Sequence, residues 1–497
     1  MGDDLKQIRR LINQGEFKQA ILVSQSLHDD DPLVLEVQAI AYSALGKDEE
    51  AYQYQSKALA LAPHNTGLKK NLAVFAIKTH RHDVACQTLK DLYDPNAPDL
   101  GLLFNLVISA QKSGLDEETQ KYCKTYLELD KSNLQIWRIL VKSYVQGHQL
   151  EKALETYSSA QKHHKLAHQD YFNIGLVARD LGLLDDAEQA FVTALLETPD
   201  HVDSHFEYAQ CLLARGQMAD GFQEFEWRLQ KANAPKWSYF PPLHKHETSE
   251  SKRLLVYTEQ GAGDAIHFSR YLRILEKHNI DYHLLCHPAI VPLFKELGLP
   301  ASSHTDSPPV CDRQCSLLSL PYLYDIYETP IAPSIPPTLS IDHSTTSEKL
   351  NVGICWTGSK AFANNALRSC GLEPISHLLE INGVNWVSLM PDTSDDIREK
   401  YNLSTPLNLN SNYLETAHII KNLDLVITVD TSVAHLSGLL GKKTWIILHS
   451  SPDWRWTSIN DQSTLYPSLT IYKQENYGQW ESVIDRIKTN LIALTKK

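Results

Sequence analysis

The sequence predicts an α-helical solenoid followed by an α/β part with two lobes of alternating strands and helices. Three observations support this α + α/β class. Small residues recur with a period of 34 through the first half of the chain. A segment rich in Pro, His, Ser and Glu then interrupts the period. Beyond it, short β-branched apolar runs alternate with helical patterns, as in parallel α/β folds. A chain of 497 residues is also too long for one core.

The repeat in the first half has the pattern of paired helices. Its small residues fall at six equivalent positions: Ala51, Ala85, Thr119, Ala153, Ala187 and Gly221. A turn position lies five residues before each of them, or six in one case: Gly46, His80, Gly114, Gly147, Gly182 and Gly216. A helix-turn-helix unit of this length resembles the tetratricopeptide repeat. The resemblance implies about seven copies over residues 1–233, the first partial, with a concave groove for extended peptide or protein.

The second half divides into two predicted Rossmann-like lobes. We place a linker at residues 234–252, the first lobe at 253–345 and the second lobe, with a terminal helix, at 346–497. Right-handed crossovers would leave a ligand cleft between the carboxyl edges of the two sheets.

A glycine-containing turn follows the first predicted strand. It begins at residue 259, and we predict a helix over residues 268–276. Gly261 and Gly263 would let the backbone approach a ligand closely, and Asp264 lies beside them near the helix N-terminus. Two glycines at this spacing predict a binding turn only in combination with other motifs.

The second lobe contains the stretch around which the α/β half is organised. Residues 425–429 form a β-branched apolar run, typical of a strand buried on both faces of a parallel sheet. Asp430, Thr431 and Ser432 supply N-cap chemistry for a helix over 433–440. A strand, a polar turn and a helix N-terminus in this order leave backbone N–H groups where α/β proteins bind phosphate. An ordinary helix cap has the same pattern, so this stretch alone leaves both readings open.

In combination, these motifs resemble those of the heptosyltransferase-like glycosyltransferases of the GT-B fold, a family 9-like group. The whole chain is similar to bacterial proteins that join tetratricopeptide repeats to such a domain. The matching pieces occur in the family's order: Gln-Gly-Ala-Gly-Asp from residue 260, Gly-Ile-Cys-Trp-Thr-Gly-Ser from 353, Asn-Asn-Ala-Leu-Arg-Ser from 364, Val-Asp-Thr-Ser-Val-Ala-His-Leu from 429 and Pro-Asp-Trp-Arg-Trp from 452. The short first lobe and the loop after residue 357 depart from the heptosyltransferases proper, so the sugar and the nucleotide base do not transfer with the fold.

The resemblance implies a role for each matching residue. Asp264 corresponds to the general base. The residues that bind the donor are Thr357, Ser359, Lys360, Arg368, Asp430, Thr431, Ser432, Val433 and His435. The residues of the cleft and the acceptor side are Gln260, Gly261, Gly263, Trp454 and Arg455. Because the one Asp-x-Asp of the sequence lies at residues 29–31, far from these positions, we expect no metal, and no cofactor besides a nucleotide-sugar co-substrate.

Composition argues against several classes of partner. The formal net charge of −13, without a local basic run, argues against nucleic acid or an anionic membrane. The N-terminus lacks the pattern of a secretory signal, and no apolar run approaches the roughly 20 residues of a spanning helix. The eight cysteines are scattered, which favours reduced thiols and a cytoplasmic protein without membrane insertion.

Together with the repeats, the resemblance of the α/β half implies a metal-independent, inverting glycosyltransferase that moves a sugar from a nucleotide-sugar to Ser or Thr of a protein acceptor recognised by the repeats. Some relatives of this architecture modify flagellin, sometimes with a nine-carbon acidic sugar, so the resemblance makes flagellin the suspected acceptor. Two alternatives stay open. One is a non-catalytic repeat adaptor with a GT-B remnant, and the other is a transferase that acts on a saccharide or lipid-linked acceptor.

Overall fold

The computed structural model describes residues 2–25, 27, 31–248, 252–327, 335–340, 349–358 and 365–496. The chain packs as two compact units, Met1–Leu166 and Ala167–Lys497. The second unit therefore contains the last helix pairs of the repeat region as well as the sheets. The four segments predicted from the sequence, with boundaries near residues 233, 252 and 345, stay a prediction.

The first unit is built from helix pairs of the predicted repeat. Its helices are α1 (Gly2–Asn13), α2 (Phe17–Gln25), α3 (Pro32–Ala44), α4 (Asp48–Leu61), α5 (Thr66–Lys78), α6 (His82–Lys90), α7 (Leu100–Lys112), α8 (Asp116–Leu129), α9 (Leu134–Gln146) and α10 (Leu150–Gln161). The small residues Ala51, Ala85 and Ala153 are fully buried. A larger side chain at these positions would separate the packed helices.

The turn between the helices of a pair requires one residue in the left-handed region. Gly46 and Gly114 fill this position with φ of 75° and 71°, and His80 fills it with φ of 60°. In the fifth pair the residue is His148, with φ of 55°. The sequence placed Gly147 there, which was wrong by one residue. His148 lies five residues before Ala153, so the structure keeps the regular spacing of the other pairs.

The second unit begins with two further helix pairs. These helices are α11 (His168–Asp180), α12 (Leu184–Glu197), α13 (Val202–Ala214) and α14 (Met218–Phe225), and a 3₁₀ turn covers Glu226–Gln230. Gly175 of α11 faces the ring of Phe191 so closely that an added Cβ would lie 2.5 Å from it. Phe222 and Phe225 of α14 are buried in the same core cluster as the strands that follow.

The first sheet is parallel and has the strand order β3-β2-β1-β4. Its elements are β1 (Arg253–Tyr257), α15 (Ala262–Phe268), α16 (Leu272–Lys277), β2 (Asp281–Cys286), α17 (Val291–Glu296), β3 (Ala301–Ser303), β4 (Arg313–Ser316) and α18 (Leu320–Leu323). Helix α15 begins six residues earlier than the predicted start at residue 268. Asp264 consequently lies within the first turn of a helix.

The predicted linker is attached to the edge of this sheet. The side-chain amide of Gln314, in β4, donates to the Trp237 carbonyl (2.6 Å) and accepts from the backbone N–H groups of Tyr239 and Phe240 (3.1 Å each). Pro242 forms a bridge to Gln314 beside them. These contacts hold part of the segment 234–252 in an extended path along β4.

The second sheet has the order β6-β5-β7-β8-β11-β10-β9, with parallel pairing from β6 to β11 and an antiparallel hairpin at the far edge. Its elements are β5 (Leu350–Cys355), α19 (Asn365–Arg368), α20 (Leu372–Leu379), β6 (Val384–Ser388), α21 (Asp395–Tyr401), α22 (Tyr413–Lys421), β7 (Leu425–Val429), α23 (Ser432–Leu439), β8 (Thr444–Leu448), β9 (Ser458–Ile459), β10 (Gln462–Ser463), β11 (Leu469–Lys473) and α24 (Glu481–Thr495). All residues of β7 and β8 are buried, as the unbroken apolar runs predict.

Candidate functional site

Each parallel sheet contains a point where the strand order reverses, and most of the predicted site residues follow the strands at these two points. β1 lies between β2 and β4, and β5 lies between β6 and β7. The turn 259–264 follows β1, Thr357 follows β5 and Asp430 follows β7. Open α/β sheets bind ligands outside the carboxyl ends of strands at such reversal points. The predicted residues thus lie where the topology favours a ligand.

The N-terminus of α23 is capped by Thr431. Its hydroxyl oxygen accepts a hydrogen bond from the Val433 N–H (3.3 Å) and lies 3.1 Å from the Thr428 hydroxyl. Thr431 is only 8% exposed, so its side chain is committed to the cap. The next residue, Ser432, is half-buried, and its hydroxyl lies 3.0 Å from the Tyr413 hydroxyl. Any anion at this helix end would meet the Ser432 side chain and the positive end of the helix dipole.

Asp430 is a half-buried carboxylate at the end of β7. Burial raises its pKa to about 6, and the negative charge of Asp453 acts in the same direction. The charges of Arg368 and Arg455 and a hydrogen bond from the Trp456 side chain oppose this rise. The carboxylate therefore lies among both acidic and basic groups, as is common at functional sites.

A hydrogen-bond network joins the two residues 357–358 after β5 to residues 365 and 369 of and beside α19. Thr357 donates its hydroxyl to Ser369 Oγ (3.2 Å) and accepts from the Asn365 amide (3.2 Å), while the Gly358 N–H donates to Ser369 Oγ (3.3 Å). A Cβ on Gly358 would lie 2.6 Å from Nη2 of Arg368, so the guanidinium rests against the Gly358 backbone. Ser359 and Lys360, predicted to bind the donor, lie outside the described residues.

Helices α15 and α23 pack directly on each other, and this contact brings the two sheets together. A Cβ on Gly263 would lie 3.0 Å from the His435 ring and 3.5 Å from Cα of Ser432. The rings of His267 and His435 stack with centroids 5.5 Å apart. Burial lowers the pKa of both histidines well below its ordinary value, which favours the neutral form of each ring.

Asp264 is held by Arg455 across this contact. Nη2 of Arg455 donates to Oδ1 of Asp264 (2.8 Å), Nη1 donates to Oδ1 of Asp453 (2.8 Å), and Nε donates to Nδ1 of His267 (3.2 Å). The side chain of Arg455 is 8% exposed and that of Asp264 is 24% exposed. Burial raises the pKa of Asp264, and the positive charge of Arg455 partly offsets the rise.

The remaining cleft residues of the prediction divide into exposed and packed ones. Gln260 and Gly261 are exposed on the turn before α15. Trp454 packs instead against Phe222 of α14, with ring centroids 5.8 Å apart, and Arg455 stacks on its ring at 4.6 Å. Val433 is buried behind the cap. The predicted site residues that the structure describes therefore lie near one another, but several of them contact protein rather than solvent.

Several residues of the site were given no role in the sequence analysis, among them His267, Asp453 and Tyr413. His267 follows Asp264 by three positions and so lies on the same helix face, which was a usable signal once α15 was placed correctly. Asp453 precedes Arg455 by two residues, and an Asp-x-Arg spacing in a loop permits the observed pair. Tyr413 carries no local signal, because only packing brings the start of α22 to Ser432.

Among the described residues, no group of three or more His, Cys, Asp or Glu is arranged to hold a metal ion. Within the same part of the chain, no helix has both the length and the apolar character needed to cross a bilayer.

Comparison with known families identifies the repeats. Two models described as "Tetratricopeptide repeat" match, one at residues 140–192 and 172–234 and the other at residues 36–65. The chain carries tetratricopeptide repeats. The matched repeats include all four helices α11 to α14, which pack in the same compact unit as the sheets.

Similarity to individual proteins is weaker. Protein FlbA of Caulobacter vibrioides is 23% identical over 540 aligned positions, which span 98% of this chain and 90% of FlbA. Among solved structures, MamA (residue 41 to the end) of Desulfovibrio magneticus RS-1 is 20% identical with a TM-score of 0.30, covering 33% of this chain and 96% of the solved MamA chain. PilF of Pseudomonas aeruginosa is 13% identical with a TM-score of 0.31, covering 41% of this chain and 94% of PilF.

Proposed function

We propose that the chain is a metal-independent, inverting glycosyltransferase with a GT-B fold. It transfers a sugar from a nucleotide-sugar to Ser or Thr of a protein acceptor, and flagellin is the suspected acceptor. One observation supports this proposal best: the points where the strand order reverses in the two sheets face each other. A carboxylate from one sheet, Asp264, and a helix N-terminus from the other, that of α23, lie on opposite sides of one contact.

The donor half of the proposal rests on groups that favour an anion. The N-terminus of α23, the Ser432 hydroxyl and Arg368 lie at the carboxyl edge of the second sheet. A leaving nucleotide phosphate gains negative charge as its bond to the sugar breaks. A helix N-terminus contributes on the order of 0.3–1 kcal/mol to anion binding, and a guanidinium adds charge-assisted hydrogen bonds. Such oriented donors stabilise the charge that develops on the leaving group.

The acceptor half of the proposal rests on Asp264. In the proposed step, the acceptor oxygen forms a bond to the anomeric carbon, and the bond from that carbon to the phosphate oxygen breaks. The electron pair stays on the phosphate, and the proton of the acceptor hydroxyl moves to the Asp264 carboxylate. The raised pKa of Asp264 makes it a stronger base than an exposed aspartate. Attack opposite the leaving phosphate inverts the anomeric centre.

The repeats supply the proposed recognition of a protein. Stacked tetratricopeptide repeats bind extended peptide or protein, and α14 of the last pair contacts Trp454 next to Arg455. An acceptor segment held by α11 to α14 would therefore lie near the turn that carries Asp264.

One observation favours a second function, that of a non-catalytic adaptor. Asp264 is already paired with Arg455, and α15 packs tightly on α23. A remnant that had lost catalysis could retain the same pair as a structural contact. In that case the repeats would still bind a protein, and the sheets would bind no nucleotide-sugar.

The decisive experiment compares wild type with Asp264→Asn. Purified full-length protein is incubated with flagellin and ADP-, UDP-, GDP- or CMP-linked sugars, and intact mass reports the transfer. We expect Asp264→Asn to lower the transfer rate by roughly 10²–10⁴, because the proton acceptor is lost. Thermal stabilisation by the productive nucleotide-sugar should persist, because Asp264 lies on the acceptor side.

The matched control is Asp281→Asn. Asp281 also pairs with an arginine, Arg253 (3.1 Å), but its side chain is 65% exposed and lies at the opposite end of the sheet. The transfer rate of the Asp281→Asn variant should equal that of wild type. If no nucleotide-sugar stabilises the protein, and flagellin has the same mass in cells with and without it, the adaptor function replaces the proposed one.

A further inference from the structure

At the candidate site, Arg455 connects the part of the chain that follows the second sheet's β8 to helix α15 of the first sheet. It belongs to the loop after β8, and its guanidinium binds Asp264 and His267 of α15 as well as Asp453 of its own loop. Its cation also lies 4.6 Å from the centre of the Trp454 ring and 5.6 Å from that of Phe268. A planar donor with contacts on several sides has little rotational freedom.

These contacts give the two oxygens of Asp264 different environments. Oδ1 accepts the hydrogen bond from Arg455 at 2.8 Å. Oδ2 lies near the exposed turn, 4.0 Å from the position that a Cβ on Gly261 would occupy. The carboxylate is thus fixed at one oxygen by the protein, and the other oxygen faces the turn that borders solvent.

The charged groups around Asp264 come from the loop after β8, the turn after β1 and α19, and two histidines come from α15 and α23. Arg455 and Arg368 favour the anion, whereas Asp453 and Glu259 disfavour it. For His267 on the same helix and His435 on α23, burial lowers the pKa and favours the neutral ring. Of the two arginines, Arg455 makes the direct hydrogen bond, so its removal should change the carboxylate most.

We propose that Arg455 is a positioning residue for the transfer reaction: it turns Oδ2 of Asp264 toward the acceptor hydroxyl and keeps the carboxylate ionised. This inference rests on the proposed function, in which Asp264 is the base. Because Asp264 and Arg455 come from different sheets, the base is oriented only when the two sheets are in contact through α15 and α23. Contact between the two sheets therefore also orients the Asp264 carboxylate for proton transfer.

The first test needs no substrate. Protonation of Asp264 is followed in the full-length protein by infrared difference spectroscopy, with Asp264→Asn identifying the carboxyl band. Arg455→Gln should raise the pKa of Asp264 by roughly 1–3 units, because an opposite charge in direct contact is lost. Arg455→Lys, which keeps the charge, should raise it by less than half as much.

The second test measures catalysis. In Arg455→Gln the acidic limb of the pH profile of kcat/KM should move to higher pH by the same amount, and kcat should fall about 10-fold or more because the base is misdirected. In Arg455→Lys the limb should move by less than half as much, and kcat should lie between the values of Arg455→Gln and wild type. Since Arg455 acts through Asp264, the variant with both Arg455→Gln and Asp264→Asn should retain the residual rate of Asp264→Asn alone.

The matched control is Arg486→Gln. Arg486 also pairs with an aspartate, Asp461 (3.1 Å), and lies 5.5 Å from the centre of an aromatic ring, Tyr472, but its side chain is 44% exposed. The Arg486→Gln substitution should change neither the pKa of Asp264 nor the rate of sugar transfer. Melting temperatures confirm folding. If Arg455→Gln does not fold, the test uses Arg455→Lys, whose loss of kcat should disappear when Asp264→Asn is also present. A loss that persists in that double variant overturns the proposal.

The proposal is overturned if folded Arg455→Gln loses rate while the acidic limb stays in place. It is equally overturned if Arg455→Gln lowers the residual rate of Asp264→Asn by the factor seen in wild type. If wild type transfers no sugar, the proposed function fails, and the infrared titration still decides whether Arg455 controls the Asp264 carboxyl.

Discussion

At the scale of single residues, the candidate site contains ionisable side chains whose charged forms are disfavoured by burial in the folded protein. Asp430 and Asp264 are carboxyl groups whose burial raises their pKa values. His267 and His435 are pushed in the opposite sense, toward the neutral ring. Titratable groups arranged in this way reduce stability, and they are typical of sites kept for binding or chemistry.

The substitution Asp430→Asn tests how much the half-buried Asp430 carboxylate lowers the free energy of unfolding, because that effect depends on pH. The folded protein raises the pKa of Asp430 from 3.8 to about 6, so between these values the folded state binds the proton more tightly than the unfolded chain. Stability from this group is present below about pH 3.8 and is lost as pH rises through about 6. Asparagine removes the ionisation and can still accept from Trp456.

We therefore expect Asp430→Asn to be more stable than wild type at pH 7–8 by on the order of 1–3 kcal/mol. The difference should shrink toward pH 4. Urea unfolding at pH 4 to 8 measures it, with Asp461→Asn, an exposed position, as the control. A difference that is independent of pH would contradict the assignment of this cost to Asp430.

At the scale of elements, the helix pairs depend on small residues at positions of close contact. Gly175 of α11 has no room for a Cβ, because three atoms of the Phe191 ring would lie 2.5 to 2.7 Å from it. Phe191 is fully buried in α12 and cannot move outward freely. Close packing also accounts for Gly263 in the first turn of α15: glycine is unfavourable in an isolated helix, but an added Cβ would lie only 3.0 Å from the His435 ring.

Gly175→Ala should destabilise the chain by about 1–3 kcal/mol, because overpacking outweighs the roughly 1 kcal/mol by which alanine improves a helix. The control is Gly101→Ala in the first turn of α7, where the added Cβ would meet a single carboxylate oxygen of the N-cap residue Asp99, at 3.2 Å, and no packed ring. We expect that variant to be within about 0.5 kcal/mol of wild type or more stable. Circular dichroism during urea unfolding measures both, and a neutral Gly175→Ala would show that the Phe191 ring can move aside.

At the scale of the second unit, a buried ionic network joins its repeats to its first sheet. Arg228, in the 3₁₀ turn after α14, donates to Oε1 of Glu259 at the end of β1 (2.8 Å) and to the Ser319 hydroxyl (2.8 Å). The side chains of Arg228 and Glu259 are 1% and 3% exposed. Glu226 and Phe225 complete the set of partners of Arg228 within the repeat. Removing one member of such a network leaves a buried charge without compensation.

Fragments test this dependence. We expect residues 167–497 to fold cooperatively, because they form one compact unit. A fragment of residues 253–497 lacks Arg228 and the buried rings of Phe222 and Phe225, and it should be at least 3–5 kcal/mol less stable. Thermal unfolding of the two fragments measures this, and equal stability would mean that the sheets need no repeat beside them.

Much of the architecture was predictable because its signals are local. Ala51, Ala85 and Ala153 marked the helix crossings, and the run at residues 425–429 marked a fully buried strand. Thr431 was predictable as a cap, since cap chemistry depends on neighbouring residues. The position of Gly147 was wrong by one residue, because His148 adopts the left-handed conformation that glycine usually supplies.

The sequence by itself determined the repeat, the alternation of strands and helices, and the chain positions of the polar turns. Tertiary structure alone decided that Arg455 binds Asp264, 191 residues away, and that α15 packs on α23. It also decided that the last repeats belong with the sheets. The physical reason is that periodicity and capping arise from neighbours in the chain, whereas contacts between distant side chains depend on how whole elements pack.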